Sequence, residues 1–298
     1  MKFRLALFVL LVALRPAAAG ARDERRVSVA LLDMGGTPTA ARVTERLSKA
    51  LASVKVKGAT LSLLDRGMSA AAARGVGYAG SLNLTLAEAR SLGTALGCDF
   101  YLAGDAQTVR RSSSTRPVYF EAYASVFVVS TRTGRLVVWE RPAAEADTAA
   151  GAEAALLASL DKSAALYAGA AAAEAEREER ERFAADEGAA AAVIDLSTDE
   201  GAAANRDLRE PAPYRRLRPA YTDAASRAEA EATVDAVVDI GADGEVSGVR
   251  VVRWAGFGLD EEVVSTVRRM HFRPAEREGE AVPVRVLLRY NFRKPPKS

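Results

Sequence analysis

The segment from Thr233 to Phe292 constrains the fold more tightly than any other part of the chain. From Thr233 to Ile240, Val234, Ala236, Val238 and Ile240 alternate with polar positions that include Asp235 and Asp239. A strict two-residue period places the first set on one face of a strand and the aspartates on the other. Ala242-Asp243-Gly244 follows, and Asp-Gly between alternating runs is a strong hairpin signal. Val246 to Val252 returns as the second strand, and Asp260 opens a helix with Leu259, Val263, Val264, Val267 and Met270 on one side. Val282, Val284, Val286, Leu288, Tyr290 and Phe292 then alternate with Arg285, Arg289, Asn291 and Arg293. That pattern predicts a last strand with an apolar face for the helix and a basic face for solvent. The order β–β–α–β predicts a small helix-backed sheet, an α+β unit.

Pro219-Ala220-Tyr221, the Asp243-Gly244 hairpin, Leu259-Asp260, Phe272-x-Pro274-Ala275 and the terminal strand stand in an order that resembles the C-terminal domain of TonB-family proteins. The resemblance covers Pro219 to Phe292. It implies recognition of envelope or outer-membrane proteins, TonB-dependent receptors among them. The implied mechanism is strand addition, in which an extended partner segment pairs with an exposed sheet edge. The residues placed in this role are Tyr221, Val284, Val286, Leu288, Tyr290 and Phe292, with Val284 to Phe292 as the receiving edge. An edge merely protected by its arginines is the equal alternative, because charge is a common defence against sheet pairing. The family's Pro-Gln-Tyr-Pro stretch is Pro219-Ala220-Tyr221-Thr222 here, the usual tryptophan near the helix end is Met270, and the glycine before the first strand is Ala232.

The N-terminal part reads differently. Val27 to Leu32, Leu61 to Leu64 and Phe100 to Ala103 are short apolar runs suited to buried strands. Val43, Leu47 and Leu51 recur every four residues and predict a helix over 39–51. Thr85-Leu-Ala-Glu88 matches a capping box for a second helix ending at Gly97. Val118 to Ser130 and Leu136 to Glu140 form a hairpin about Arg132-Thr133-Gly134. This succession predicts an α/β layer domain over 26–146. Its phrases Val-Ala-Leu-Leu-Asp33, Leu-Leu-Asp-Arg66 and Leu-Gly-Cys-Asp-Phe-Tyr-Leu-Ala-Gly104 resemble envelope domains of the CsgG-like class and the TolB N-terminal domain.

Between the two units, 147–213 is rich in alanine, glutamate and arginine. Alanine favours helix, and Glu176–Arg180, Arg177–Glu181 and Glu178–Arg182 are opposite charges four apart. The stretch 148–187 therefore predicts an exposed helical spacer, and Gly188 to Pro213 a flexible segment. The C-terminal domain is assigned to 214–298.

Lys2 and Arg4 precede an apolar run over 5–14, and Ala17-Ala18-Ala19-Gly20-Ala21 follows. This predicts a secretory signal over 1–21 and a periplasmic protein; an uncleaved signal would instead anchor the chain at the inner membrane. The apolar run is about half the length needed to span a bilayer. Loss of Lys2, Arg4 and Arg15 with the signal takes the formal charge from +2 to −1. A near-neutral protein lacks the field that holds a phosphate backbone, which argues against nucleic acid. Cys98 is the only cysteine and opens an apolar run, so it reads as a small core residue.

Motifs for catalysis are weak. Gly75-x-Gly77-x-x-Gly80 fits a dinucleotide-binding string, but no strand precedes it and the next helix begins only near Thr85. His271 is the only histidine, and Ser112-Ser113-Ser114 has no base partner. The expectation is a non-enzymatic, transport-related adaptor without cofactor, metal or small-molecule substrate. The alternatives are a membrane-anchored TonB-like energy transducer and a subunit of an outer-membrane secretion or assembly complex.

Overall fold

In the computed structural model, which describes residues 25–184 and 193–294, the first strand is buried on both faces. β1 (Arg25–Leu31) sends Val27, Val29 and Leu31 into one core, and Ala30, with Leu32 just beyond it, into another. Such two-sided burial is what a near-continuous apolar run requires. α1 (Pro38–Ser53) starts at Thr37, whose hydroxyl accepts from the Ala40 N–H, and buries Val43, Leu47 and Leu51 as the spacing predicts. β2 (Ala59–Leu63) pairs parallel with β1. The alanine-rich stretch that follows, for which periodicity predicts no element, is α2 (Arg66–Gly75), capped by the Asp65 carboxylate. α3 (Leu86–Leu96) has the complete capping box of Thr85 and Glu88 and ends on left-handed Gly97.

β3 (Phe100–Arg111) returns beside β1 in parallel, then pairs antiparallel with β4 (Tyr119–Ser130). β5 (Leu136–Glu140) and β6 (Ala143–Ala146) both lie on the far side of β4, giving the order β2-β1-β3-β4-β5. α1 covers one face of this sheet, while α2 and α3 cover the other.

The alanine-rich helix, α4 (Ala149–Ala184), exists but is not an exposed spacer. Ala152, Leu156, Leu160, Ala164, Tyr167, Ala168 and Ala171 are buried against the same sheet face as α1. Small side chains let the helix axis approach the sheet closely, so alanines form the contact face and not merely the helix-favouring filler. Charges at its far end are recruited as well. Glu178, spaced for Arg182, instead meets Arg132 at 2.9 Å and accepts from the Ser130 and Thr133 hydroxyls.

The stretch expected to be flexible is also structured over its described part, from residue 193. β7 (Ile194–Asp195) joins the C-terminal sheet, α5 (Asp199–Ala204) follows, and β8 (Ala212–Pro213) pairs with β11 (Phe272–Arg273). Two-residue pairings carry no periodicity, which is why the sequence reading finds none there. Residues 188–192 and the predicted signal at 1–21 lie outside the described residues.

After the short α6 (Asp223–Ala228) comes the predicted β–β–α–β order: β9 (Ala232–Ile240), β10 (Val246–Arg253), α7 (Leu259–Val267) and β14 (Val284–Phe292). A small hairpin of β12 (Ala275–Arg277) and β13 (Glu280–Val282) precedes the last strand. The sheet order is β10-β9-β14-β7, with α7 packed on Val234, Ala236, Val238 and Ile240. The chain is thus mixed α+β, with a long central helix and a strand-rich C-terminal domain.

The two units touch. Trp254, in the loop between β10 and α7, is 2% exposed and completes the core between the first sheet and α3. Its ring lies 5.6 Å from Phe127, and Phe257 packs 4.8 Å from Trp139. Asn83 secures the seam: its amide donates to the carbonyls of Thr233 and Trp254 and accepts from the Thr233 N–H. The loop follows an unusual path, with Gly256, Phe257 and Gly258 all at positive φ. A Cβ at residue 256 would stand 2.6 Å from the Phe127 ring, so glycine is required there by both conformation and space.

Candidate functional site

The antiparallel ladder between β14 and β9 sets which way each group of the last strand points. Val284 is buried, Phe292 nearly so, and Val286, Leu288 and Tyr290 pack against the α7 core. These five side chains therefore face inward. The Tyr221 hydroxyl donates inward too, to the carbonyls of Ala225 at 3.1 Å and Ala230 at 2.8 Å. The six residues singled out by sequence belong to one core and one local turn. They position an edge; Val286, Leu288 and Tyr290, only partly buried, also line a groove beside it.

The opposite face of β14 carries Arg285, Leu287, Arg289 and Asn291. It is not the free basic face that alternation predicts. Arg289 stands directly across from Asp235 and forks onto its carboxylate at 2.7 and 3.0 Å. Arg285 does the same to Asp239 at 2.6 and 3.3 Å. Leu287 lies between them, opposite Val237. Asp235 is only 3% exposed, and paired arginines on β14 and β10 offset its desolvation. The sequence shows each charge but not the partner strand, so it cannot show the cancellation.

The outer backbone rim of β14 is partly covered. Ile194 N–H donates to the Pro283 carbonyl and Leu196 N–H to that of Arg285, so β7 occupies the beginning of the strand. In a ladder, a residue's N–H and C=O point the same way, alternating along the strand. Arg285 points outward, and by that alternation so do Leu287, Arg289 and Asn291. Among the described residues no backbone group pairs with these three from the outer side. They lie within the Val284–Phe292 edge that the sequence indicates but are not among the six residues singled out, since apolar alternation marks the inward set.

A groove of about 360 Å³ runs beside this open stretch. Pro211, Pro213, Leu217 and Met270 line it together with residues 286–290 of β14. Prolines lack the N–H that would let the 211–213 segment close onto the strand. Leu287 is 39% exposed at the groove, a large apolar side chain on a solvent-facing rim. An edge with unpaired donors and acceptors, flanked by an apolar trough, has the chemistry to accept an extended peptide.

Residues 218–293 match the family model described as Gram-negative bacterial TonB protein C-terminal. The C-terminal unit is a TonB-like domain. The match spans the strand pair, the helix and the terminal strand described above, and the β–β–α–β reading of the sequence agrees with it. Several solved structures are similar to parts of the chain. The TonB C-terminal domain of Pseudomonas aeruginosa is 22% identical over 35% of this chain and 95% of its own, with a TM-score of 0.26. PelC from Paraburkholderia phytofirmans is 10% identical over 49% and 89%, TM-score 0.30. The LpoB C-terminal domain from Escherichia coli is 17% identical over 39% and 81%, TM-score 0.26. No curated protein matches the chain.

The remaining sequence motifs take structural places. Gly75 ends α2, and Gly77 and Gly80 follow at positive φ in a loop. His271 is exposed and its Nδ1 lies 2.8 Å from Glu245. Ser113 closes the β3–β4 turn with Arg116. Cys98 is buried beside Thr131, and burial pushes its thiol pKa up. Among the described residues no helix is long and apolar enough to cross a membrane.

Proposed function

We propose that this chain is a non-enzymatic, periplasmic binding protein of the Gram-negative envelope. Its TonB-like domain takes up an extended segment of an envelope or outer-membrane partner along the open part of β14. The single supporting observation is the unpaired outward backbone of Leu287, Arg289 and Asn291 beside the groove. TonB-dependent receptors are the partner class that the family match favours. The N-terminal domain and α4 are then a rigid base that carries this edge, since Trp254 and Asn83 fix one unit to the other.

Strand addition has a specific chemical test. Arg289→Pro removes one outward donor, whereas Arg289→Ala keeps it and loses only the ion pair. Photocrosslinking from position 287 in intact Gram-negative cells should capture one envelope protein in the parent and the alanine variant. Capture should fall by about tenfold with proline, the worth of one or two lost hydrogen bonds. Equal capture with proline, or none from the parent chain, would overturn the reading.

A further inference from the structure

A cleft larger than the groove beside β14 lies elsewhere, at the seam between the two units. It has a volume of about 880 Å³. One wall is β5, the terminal strand of the first sheet; the other is β10 and α7, with β10 the terminal strand of the second. Two sheet edges thus border one trough. Its apolar lining comes from Leu136, Val138 and Trp139 on one side and Val251, Trp254 and Val264 on the other.

The β5 wall presents unused backbone. Ser130 N–H donates to the Arg135 carbonyl and Ala124 N–H to that of Pro142. Counting inward from both bonds, across the irregularity at Val137, turns the backbone groups of Leu136 and Trp139 away from β4. Neither has a backbone partner on that side among the described residues. The Trp139 indole N–H also lacks a hydrogen-bond acceptor.

Charge then selects among occupants. Arg135, Arg250, Arg268 and Arg269 line the cleft. Arg135 reaches Glu181 at the limit of 4.0 Å, while the other three have no carboxylate within that distance among the described residues. Two acids also line it. Glu261 is exposed, and Asp260 is buried, its oxygens accepting from the N–H groups of Ala255 and Gly256. The rim is therefore basic in excess, in a chain whose predicted mature form is slightly acidic overall.

We infer that this cleft is a second peptide site, which seats an extended partner segment of alternating acidic and apolar residues along β5. The unpaired strand edge asks for a peptide backbone, which lipid tails and glycans lack. The apolar floor takes every second side chain, and the unpaired arginines take the carboxylates between them. This site is independent of the β14 edge.

The probe is a short peptide of alternating aspartate and valine, added to the full chain while the emission of Trp139 and Trp254 is followed. These are the only two tryptophans, and both line the cleft. The expected result is a saturable change in emission that a lysine–valine peptide does not produce. Arg268→Glu with Arg269→Glu, both exposed, should weaken binding at least about tenfold. Leu287→Pro, at the other edge, should leave it unchanged. Equal response to the lysine peptide, full affinity in the charge-reversed variant, or a response only to anionic lipid vesicles would each overturn the assignment.

Discussion

The indole N–H of Trp254 donates to the carbonyl of Gly134 at 3.0 Å, joining residues 120 positions apart in the chain. Gly134 lies in the β4–β5 turn of the first sheet, and Trp254 leads from β10 toward α7 of the second. This hydrogen bond and buried ring, with the bonds of Asn83, couple the TonB-like domain to the domain that carries it.

Trp254→Ala should remove a buried ring from the core between the first sheet and α3 and cost about 3–5 kcal/mol, the usual range for such a truncation. Trp254→Phe keeps most of the apolar contact but leaves the Gly134 carbonyl without this donor, for about 1–3 kcal/mol. Denaturant melts of both variants check this. A Trp254→Ala chain as stable as the parent would show that this ring contributes nothing to folding.

The central helix offers a comparison within one element. Leu160 is fully buried against the sheet, and Leu166 is 41% exposed. Leu160→Ala should destabilise by about 2–5 kcal/mol, and Leu166→Ala by no more than about 0.5 kcal/mol. Urea titration of the two variants separates a packed layer from a solvated spacer. Equal effects would restore the spacer.

Asp260 provides a pH signature. Burial pushes its pKa up from 3.8 to about 6, against two backbone hydrogen bonds that act the other way. The folded chain therefore binds this proton more tightly than the unfolded chain. Stability from the group is complete below about pH 4 and is lost as pH rises through 6, by something on the order of 3 kcal/mol. Asp260→Asn removes the titration. Subtracting its stability from that of the parent across pH 4–7 should give a difference that falls with rising pH; a flat difference would contradict the assignment.

Local pattern alone fixes much of the C-terminal domain. Alternation from Val234 to Ile240 and from Val284 to Phe292, with Asp243-Gly244 between the first strands, specifies which residues are buried. The Thr85–Glu88 cap and the Leu47 face of α1 are equally local. Partners chosen across space are another matter. Arg289 looks free until β9 brings Asp235 opposite it, and the alanines of α4 look like spacer until a sheet lies beneath them.

Periodicity determines inward and outward faces, because it depends only on how side chains repeat along one strand or helix. Which rim of β14 stays open, how β7 covers its start, and how Trp254 closes the seam depend on contacts between segments far apart in sequence. Those contacts exist only once the whole chain has packed, so tertiary structure alone decided where this protein has edges to offer.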